Sequence, residues 1–131
     1  MSDFLLFKQP NIEIYLNEAD QWLYVKWIGF QTADSVKYGC EYMLHYLKEY
    51  KCQKVLNDNI LVEGMWSGAA KWGADVWFPA MFAAGLRSFA WVYAHSVLSQ
   101  LSTDKTLSLM DVDFIRTFYD LEKAAAWLRS V

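Results

Sequence analysis

Residues 54–72 read KVLNDNILVEGMWSGAAKW. A short strand-like run, Lys54 to Leu56, breaks into Asn57, Asp58 and Asn59, three residues that favour turns. Gly64 follows, then Trp66-Ser67-Gly68 and an alanine-rich stretch that opens a helix. The stretch therefore predicts a short strand over 52–58, a loop over Asn57 to Gly64, and a helix entered through Ser-Gly. That is a common place for a functional group. Ser67 suits an N-cap, because its hydroxyl can accept from the backbone N–H two or three residues on. A phosphoacceptor at a helix N-terminus and a hydrogen bond to a ligand at that helix end are its other readings. Gly68 lets the backbone come close to something.

On the N-terminal side, residues 11–30 read as a hairpin. Ile12, Ile14 and Leu16 alternate with Glu13, Tyr15 and Asn17, and the alternation resumes after the turn NEAD with Trp22 to Trp27. Residues 32–51 predict a helix that Thr32 or Asp34 can cap, with Val36, Cys40, Met43, Leu44 and Leu47 on one face. Tyr38, Tyr42, Tyr46 and Tyr50 run along the flank of that face, Tyr38 being the most exposed.

On the C-terminal side, residues 67–85 predict a second helix that carries only Lys71 and Asp75 as charges. Trp66, Ala70, Gly73, Trp77, Ala80 and Ala84 share one face, with Phe78 and Phe82 on another side. Pro79 has no N–H for the carbonyl four residues back, which predicts a kink or break near Asp75. A strand over 87–94, a short helix and loop over 95–107, a strand over 113–120 and a terminal helix with Ala124, Trp127 and Leu128 inward complete the chain. The order is β-β-α-β-α-β-α-β-α, about five strands and four helices, an α/β domain with a mixed sheet.

The chain has 131 residues, which fits one domain over 1–131. Hydrophobic residues make up 55% and charged residues 21%, the balance of a packed globular protein. The net charge of -3 and the lack of a basic cluster exclude an electrostatic nucleic-acid footprint. Cys40 and Cys52 form no CxxC and no ligand spacing with His45 and His95, so no metal and no cofactor are expected. Free thiols and the absence of a secretory leader pattern predict a cytoplasmic protein. The longest apolar run, Val76 to Leu86, is too short to span a bilayer, which needs about 20 residues.

The hairpin, the VLND strand, the Ser-Gly helix start and the closing Asp120-Leu121-Glu122-x-Ala124-x-x-Trp127-Leu128 together resemble the STAS domain, in its anti-sigma-factor-antagonist-like branch. That branch is often paired with the CRAL-TRIO lipid-transfer fold. The resemblance covers residues 11–128 and implies a bacterial regulatory module. In regulatory members, a serine in an Asp-Ser-Ser-Gly or Asp-Thr-Ser-Gly turn is phosphorylated to control binding to an anti-sigma kinase. The matching residues here are Met65, Trp66, Ser67 and Gly68, so the serine and glycine are kept and the first two positions differ.

No catalytic residue is expected. Ser67, His95 and Asp58 could form a triad on paper, but no G-x-S-x-G elbow, phosphate loop or dinucleotide fingerprint is present. Trp66, Trp72 and Trp77 crowd one almost uncharged helix, and seven tryptophans exceed what a core of this size needs. They suggest an apolar surface covered by a second subunit, or an apolar pocket or membrane-peripheral surface built with Phe78 and Phe82. The partners expected are a homodimer mate, a regulatory protein, or an apolar small molecule or lipid. The switch or ligand candidates are Ser67, Gly68, Asp58 and Asn59.

Overall fold

The computed structural model describes residues 3–131. It shows an α/β fold with one six-stranded mixed sheet and four helical runs. The strands lie side by side in chain order, β1 (Asp3–Gln9), β2 (Ile12–Asn17), β3 (Trp22–Phe30), β4 (Lys54–Glu63), β5 (Ser88–Val92) and β6 (Ile115–Phe118). The first three form an antiparallel meander, and β3 to β6 run parallel. The predicted order therefore holds from β2 onward, with one strand added in front. β1 fills the edge beside β2, where Phe7 stacks on Tyr42 at 4.1 Å and Tyr46 Oη donates to the Leu6 carbonyl at 3.1 Å. The tyrosine row of the first helix is thus the seat of a strand. Tyr38 is its most exposed member, at 46%.

Helix α1 (Ala33–Tyr50) starts at Thr32, whose hydroxyl accepts from the Ser35 N–H while Ser35 returns a bond to the Thr32 N–H. It buries Val36, Cys40, Met43 and Leu47 against the β2–β4 side chains that face it. The second helical run spans 67–83 and changes pitch along its length. It begins as a 3₁₀ turn (Ser67–Ala69), continues as α2 (Ala70–Trp72), widens into a π turn (Gly73–Trp77) and ends as α3 (Phe78–Ala83). The π turn is the form taken by the distortion expected near Asp75. Pro79 has no N–H to give, and the Phe78 N–H reaches back five residues to the Gly73 carbonyl.

α4 (Val97–Ser108) packs on this run through a polar ridge. Ser99, Ser102, Thr103 and Thr106 are all buried, and each donates to a backbone carbonyl. α5 (Leu121–Ser130), capped by Asp120, covers the opposite face of the sheet over a smaller cluster of Trp22, Leu56, Ala90, Val92, Ala124 and Leu128. Among the described residues, no helix is long and apolar enough to cross a membrane.

Two local expectations are corrected. Asn57, Asp58 and Asn59 do not form a turn: β4 continues through them to Glu63, and all three are buried. Ser67 is not a cap either. It is the first residue of the 3₁₀ turn, Trp66 holds the cap position, and no side chain caps that end.

Candidate functional site

Asn57 and Asn59 point to the broad face of β4, under α1 and the 67–83 run. Trp27 Nε1 donates to Asn57 Oδ1 at 2.9 Å, and Asn57 Nδ2 donates to Asn59 Oδ1 at 3.2 Å. These bonds explain how polar residues survive in mid-sheet, since a buried amide is tolerated only when it is hydrogen-bonded. Just beyond, β4 gains a residue relative to β3: Lys26 pairs with Asp58, yet Ile28 pairs with Leu61. This bulge re-aims the rest of the strand, as bulges beside binding sites commonly do. β5 accompanies β4 only as far as Asp58. Past that point β4 stays paired with β3, and the chain that follows it is held by α4, where Ser99 Oγ donates to the Gly64 carbonyl at 2.7 Å and Ser102 Oγ accepts from the Trp66 N–H at 3.0 Å.

A cavity of about 40 Å³ lies among these elements. Five indoles line it: Trp27 from β3, Trp66 and Trp72 from the two ends of the first helical turns, Trp77 from the π turn, and Trp91 from β5. Asn57, Asn59 and Thr106 supply its polar wall. Among the described residues, no carboxylate, amine, guanidinium or imidazole lines it. The space exceeds the roughly 10–15 Å³ that one water requires and falls far below the roughly 300–1,000 Å³ of a drug-sized pocket.

The hydrogen bonding of the lining is uneven. Trp77 Nε1 donates to the Cys40 carbonyl at 2.7 Å, and Trp27 is served by Asn57. Trp91 Nε1 is equally shut away from solvent, yet among the described residues it finds no acceptor. The Trp91 ring is fixed by near-parallel stacking on Trp66 at 6.1 Å and by Phe89 and Phe78. An indole N–H can only donate, so this position asks for an acceptor.

The candidate residues now sort by place. Trp66, Trp72, Trp77, Phe78 and Asn59 meet at the cavity. Phe82 does not. It is 43% exposed and lines an open surface groove of about 770 Å³ with Pro79, Leu109, Val112 and Phe114. Asp58 faces the other side of the sheet, where its Oδ2 accepts from Tyr24 Oη at 2.6 Å and its Oδ1 from the Ile60 N–H at 3.0 Å. Burial first, and this bond second, push the Tyr24 hydroxyl well above its ordinary range. Ser67 and Gly68 sit outside the cavity, half-buried and exposed. Among the described residues, no hydrogen bond joins Ser67, His95 and Asp58, and no group of three His, Cys, Asp or Glu side chains could hold a metal ion.

Sequence reasoning missed Trp27, Asn57, Trp91 and Thr106 as lining residues. The signal available was the Asn-x-Asn pair, two amides two apart in a strand, which places both on one face.

The tryptophan count also has its explanation. Trp22, Trp27, Trp66, Trp77 and Trp91 are each 5% exposed or less, while Trp72 is half-buried.

A scan against protein-family models finds no match to this chain, and a search of the curated proteins finds none either.

Proposed function

We propose that this chain is a non-catalytic, STAS-like regulatory module of the bacterial cytoplasm whose state is set by a small molecule held among its indoles. The observation that carries this reading is the indole-lined cavity, one wall of which, Trp91, has a buried Nε1 that finds no acceptor among the described residues. An unsatisfied buried N–H costs about 1–3 kcal/mol. The strand order, each strand beside its neighbour in sequence, supports the STAS-like assignment. A long-chain lipid is disfavoured as the occupant, because 40 Å³ does not admit an acyl chain. The test is native mass spectrometry of the purified protein, followed by organic extraction. A co-purified small neutral compound is expected. A bare chain that also shows no change in tryptophan emission or melting temperature across a fragment library would reject the reading.

A second reading is favoured by a different observation. Phe30 (71% exposed), Leu61 and Met65 are exposed at and just after the ends of β3 and β4, and Val97, Leu98 and Leu101 are exposed on α4. Phe30 pairs in register with Glu63, and its ring lies over Gly64, next to the Met65–Gly68 segment. Exposed apolar patches of this kind mark interaction sites, so this end of the sheet would dock a regulatory protein or a second copy, with Ser67 at its rim. Sedimentation of the wild type and of Leu98→Asp and Ser67→Glu decides the self-pairing form. Association lost in the variants supports it, and a wild type that stays monomeric at every concentration removes it.

A further inference from the structure

The groove of about 770 Å³ lies between the end of the 67–83 run and the segment that joins α4 to β6. Phe78, Phe82 and Phe114 line it, with Leu109, Met110 and Val112. The Phe114 ring lies 5.3 Å from Phe82 and 6.3 Å from Phe78, centroid to centroid. Phe82, Leu109 and Val112 are exposed, so their apolar surface is open. Aromatic residues and methionine are the types that interfaces favour. Among the described residues, the charged side chains that line the groove are Asp111 and Asp113, both exposed, and neither makes an ion pair with a described residue. α4 ends at Leu109, which brings the negative end of its dipole to the same place. The cations closest along the chain stand outside the lining. Arg87 lies over the Phe82 ring, 4.3 Å from its centroid, with Nη1 donating to the Phe82 and Leu86 carbonyls at 3.0 and 2.7 Å. Lys105 sits in the last turn of α4.

We propose that this groove docks a basic, apolar segment of a protein partner: a large apolar side chain set against Phe82 and Phe114, flanked by lysine or arginine that meet Asp111 and Asp113. The surface shares no residue with the patch of Phe30, Leu61 and Met65, and its use does not depend on what fills the indole cavity. The segment is apolar at its centre because an interface draws its affinity from a desolvated aromatic or aliphatic anchor. It is basic at its flanks because the groove offers two carboxylates and a helix C-terminus with no cation among its lining residues. It belongs to a protein because the groove is open, whereas sites for small molecules bury most of their ligand. A second copy of this chain, at a net charge of -3, is the poorer electrostatic match. An anionic lipid surface is repelled by the same carboxylates.

The experiment titrates the full chain with three capped pentapeptides, Lys-Leu-Phe-Leu-Lys, Glu-Leu-Phe-Leu-Glu and Lys-Ala-Ala-Ala-Lys, and with phenethylammonium chloride, at neutral pH and low salt. The readout is the ¹H–¹⁵N spectrum, with the amides of Phe82 and of Leu109 to Phe114 assigned. The Lys-Leu-Phe-Leu-Lys peptide is expected to move these amides and to bind about fivefold more tightly than its glutamate counterpart, the worth of two exposed ion pairs. Raising the salt concentration should shrink that preference. Asp111→Asn combined with Asp113→Asn should abolish it. Phe82→Ala should weaken both Leu-Phe-Leu peptides, and Val112→Ser gives the same reading where Phe82→Ala fails to fold. Equal binding of the lysine and glutamate peptides would overturn the basic flanks. Binding of Lys-Ala-Ala-Ala-Lys as tight as that of Lys-Leu-Phe-Leu-Lys would overturn the apolar anchor. Phenethylammonium binding as tightly as the peptide would make the groove a small-molecule site and overturn the protein partner. Groove amides that move on dilution of the protein alone would show a second copy there instead. Groove amides that stay still with every peptide would overturn the docking site itself.

Discussion

Trp27 on β3 donates its indole N–H to Asn57 Oδ1 on β4 at 2.9 Å, and both side chains are shut away from solvent. The bond crosses from one strand to the next and holds the first indole of the cavity wall. Asn57→Leu keeps the volume and deletes both bonds that the amide makes. It leaves the Trp27 N–H without an acceptor and Asn59 Oδ1 without a donor, each worth about 1–3 kcal/mol. Unfolding free energy should therefore fall by about 2–5 kcal/mol in a urea titration. Adding Trp27→Phe should cost less than the sum of the single changes, because the orphaned donor is gone.

Gly39 tests how tightly α1 is pressed on that same indole. A Cβ there would lie 2.4 Å from Trp27 Cη2 and 2.8 Å from Ile12 Cδ1. Alanine would gain about 1 kcal/mol in helix propensity. Overpacking a filled core costs about 1–3 kcal/mol, and the atoms it meets belong to a ring and a side chain that are themselves buried. Gly39→Ala should come out destabilising in chemical denaturation despite its better propensity. A stabilised variant would mean that α1 can ride away from the sheet.

The thiols set an alkaline limit. Burial pushes Cys40 up strongly and Cys52 up to about 11. In the unfolded chain a thiol titrates near about 8.5. Below that pH both states hold the proton, and the contribution is present in full. Between there and about 11 the unfolded chain releases protons that the folded chain keeps, so stability falls as pH rises. Urea midpoints should drop from pH 8 to pH 10, and Cys52→Ala should flatten part of that slope. A slope identical to the wild type would mean that Cys52 is not held neutral by the fold.

β1 depends on few anchors. Phe7 stacks on Tyr42, and the Leu6 carbonyl receives Tyr46. Phe7→Ala should raise hydrogen exchange in Asp3–Gln9 while β3 to β5 keep their protection, the signature of a local opening. Uniform loss of protection would show instead that β1 folds as one unit with the sheet.

What the sequence reveals of this fold depends on where each residue finds its partner. The hairpin, α1 and α5 were legible because their burial patterns are local and periodic. Pro79 marked the site of the π turn for the same reason: its missing donor acts four or five residues away. β1 was not legible. A register shift between Leu5 and Phe7 breaks its alternation, and as an edge strand it leaves Phe4 and Leu5 exposed. Asn57, Asp58 and Asn59 carry the composition of a turn and sit in a strand, because Trp27 and Tyr24 satisfy them from about thirty positions earlier in the chain. The cavity was half legible. The three indoles of the helical run were visible as a cluster, but Trp27 and Trp91 join them only through the order of the strands.

That order has a consequence for assembly. Every strand of this sheet after β1 hydrogen-bonds to the strand made just before it. A chain emerging from the ribosome never has to reserve an unfilled slot for a later segment, so the sheet can grow by addition at one moving edge, without the long-range closures that slow many mixed folds. The indole chamber would then be roofed by the 67–83 run before β5 delivers Trp91, and sealed only when the serine ridge of α4 docks. The nascent protein thus passes through a stage at which its interior is built but not yet shut, and a compound present during synthesis would meet an open vessel.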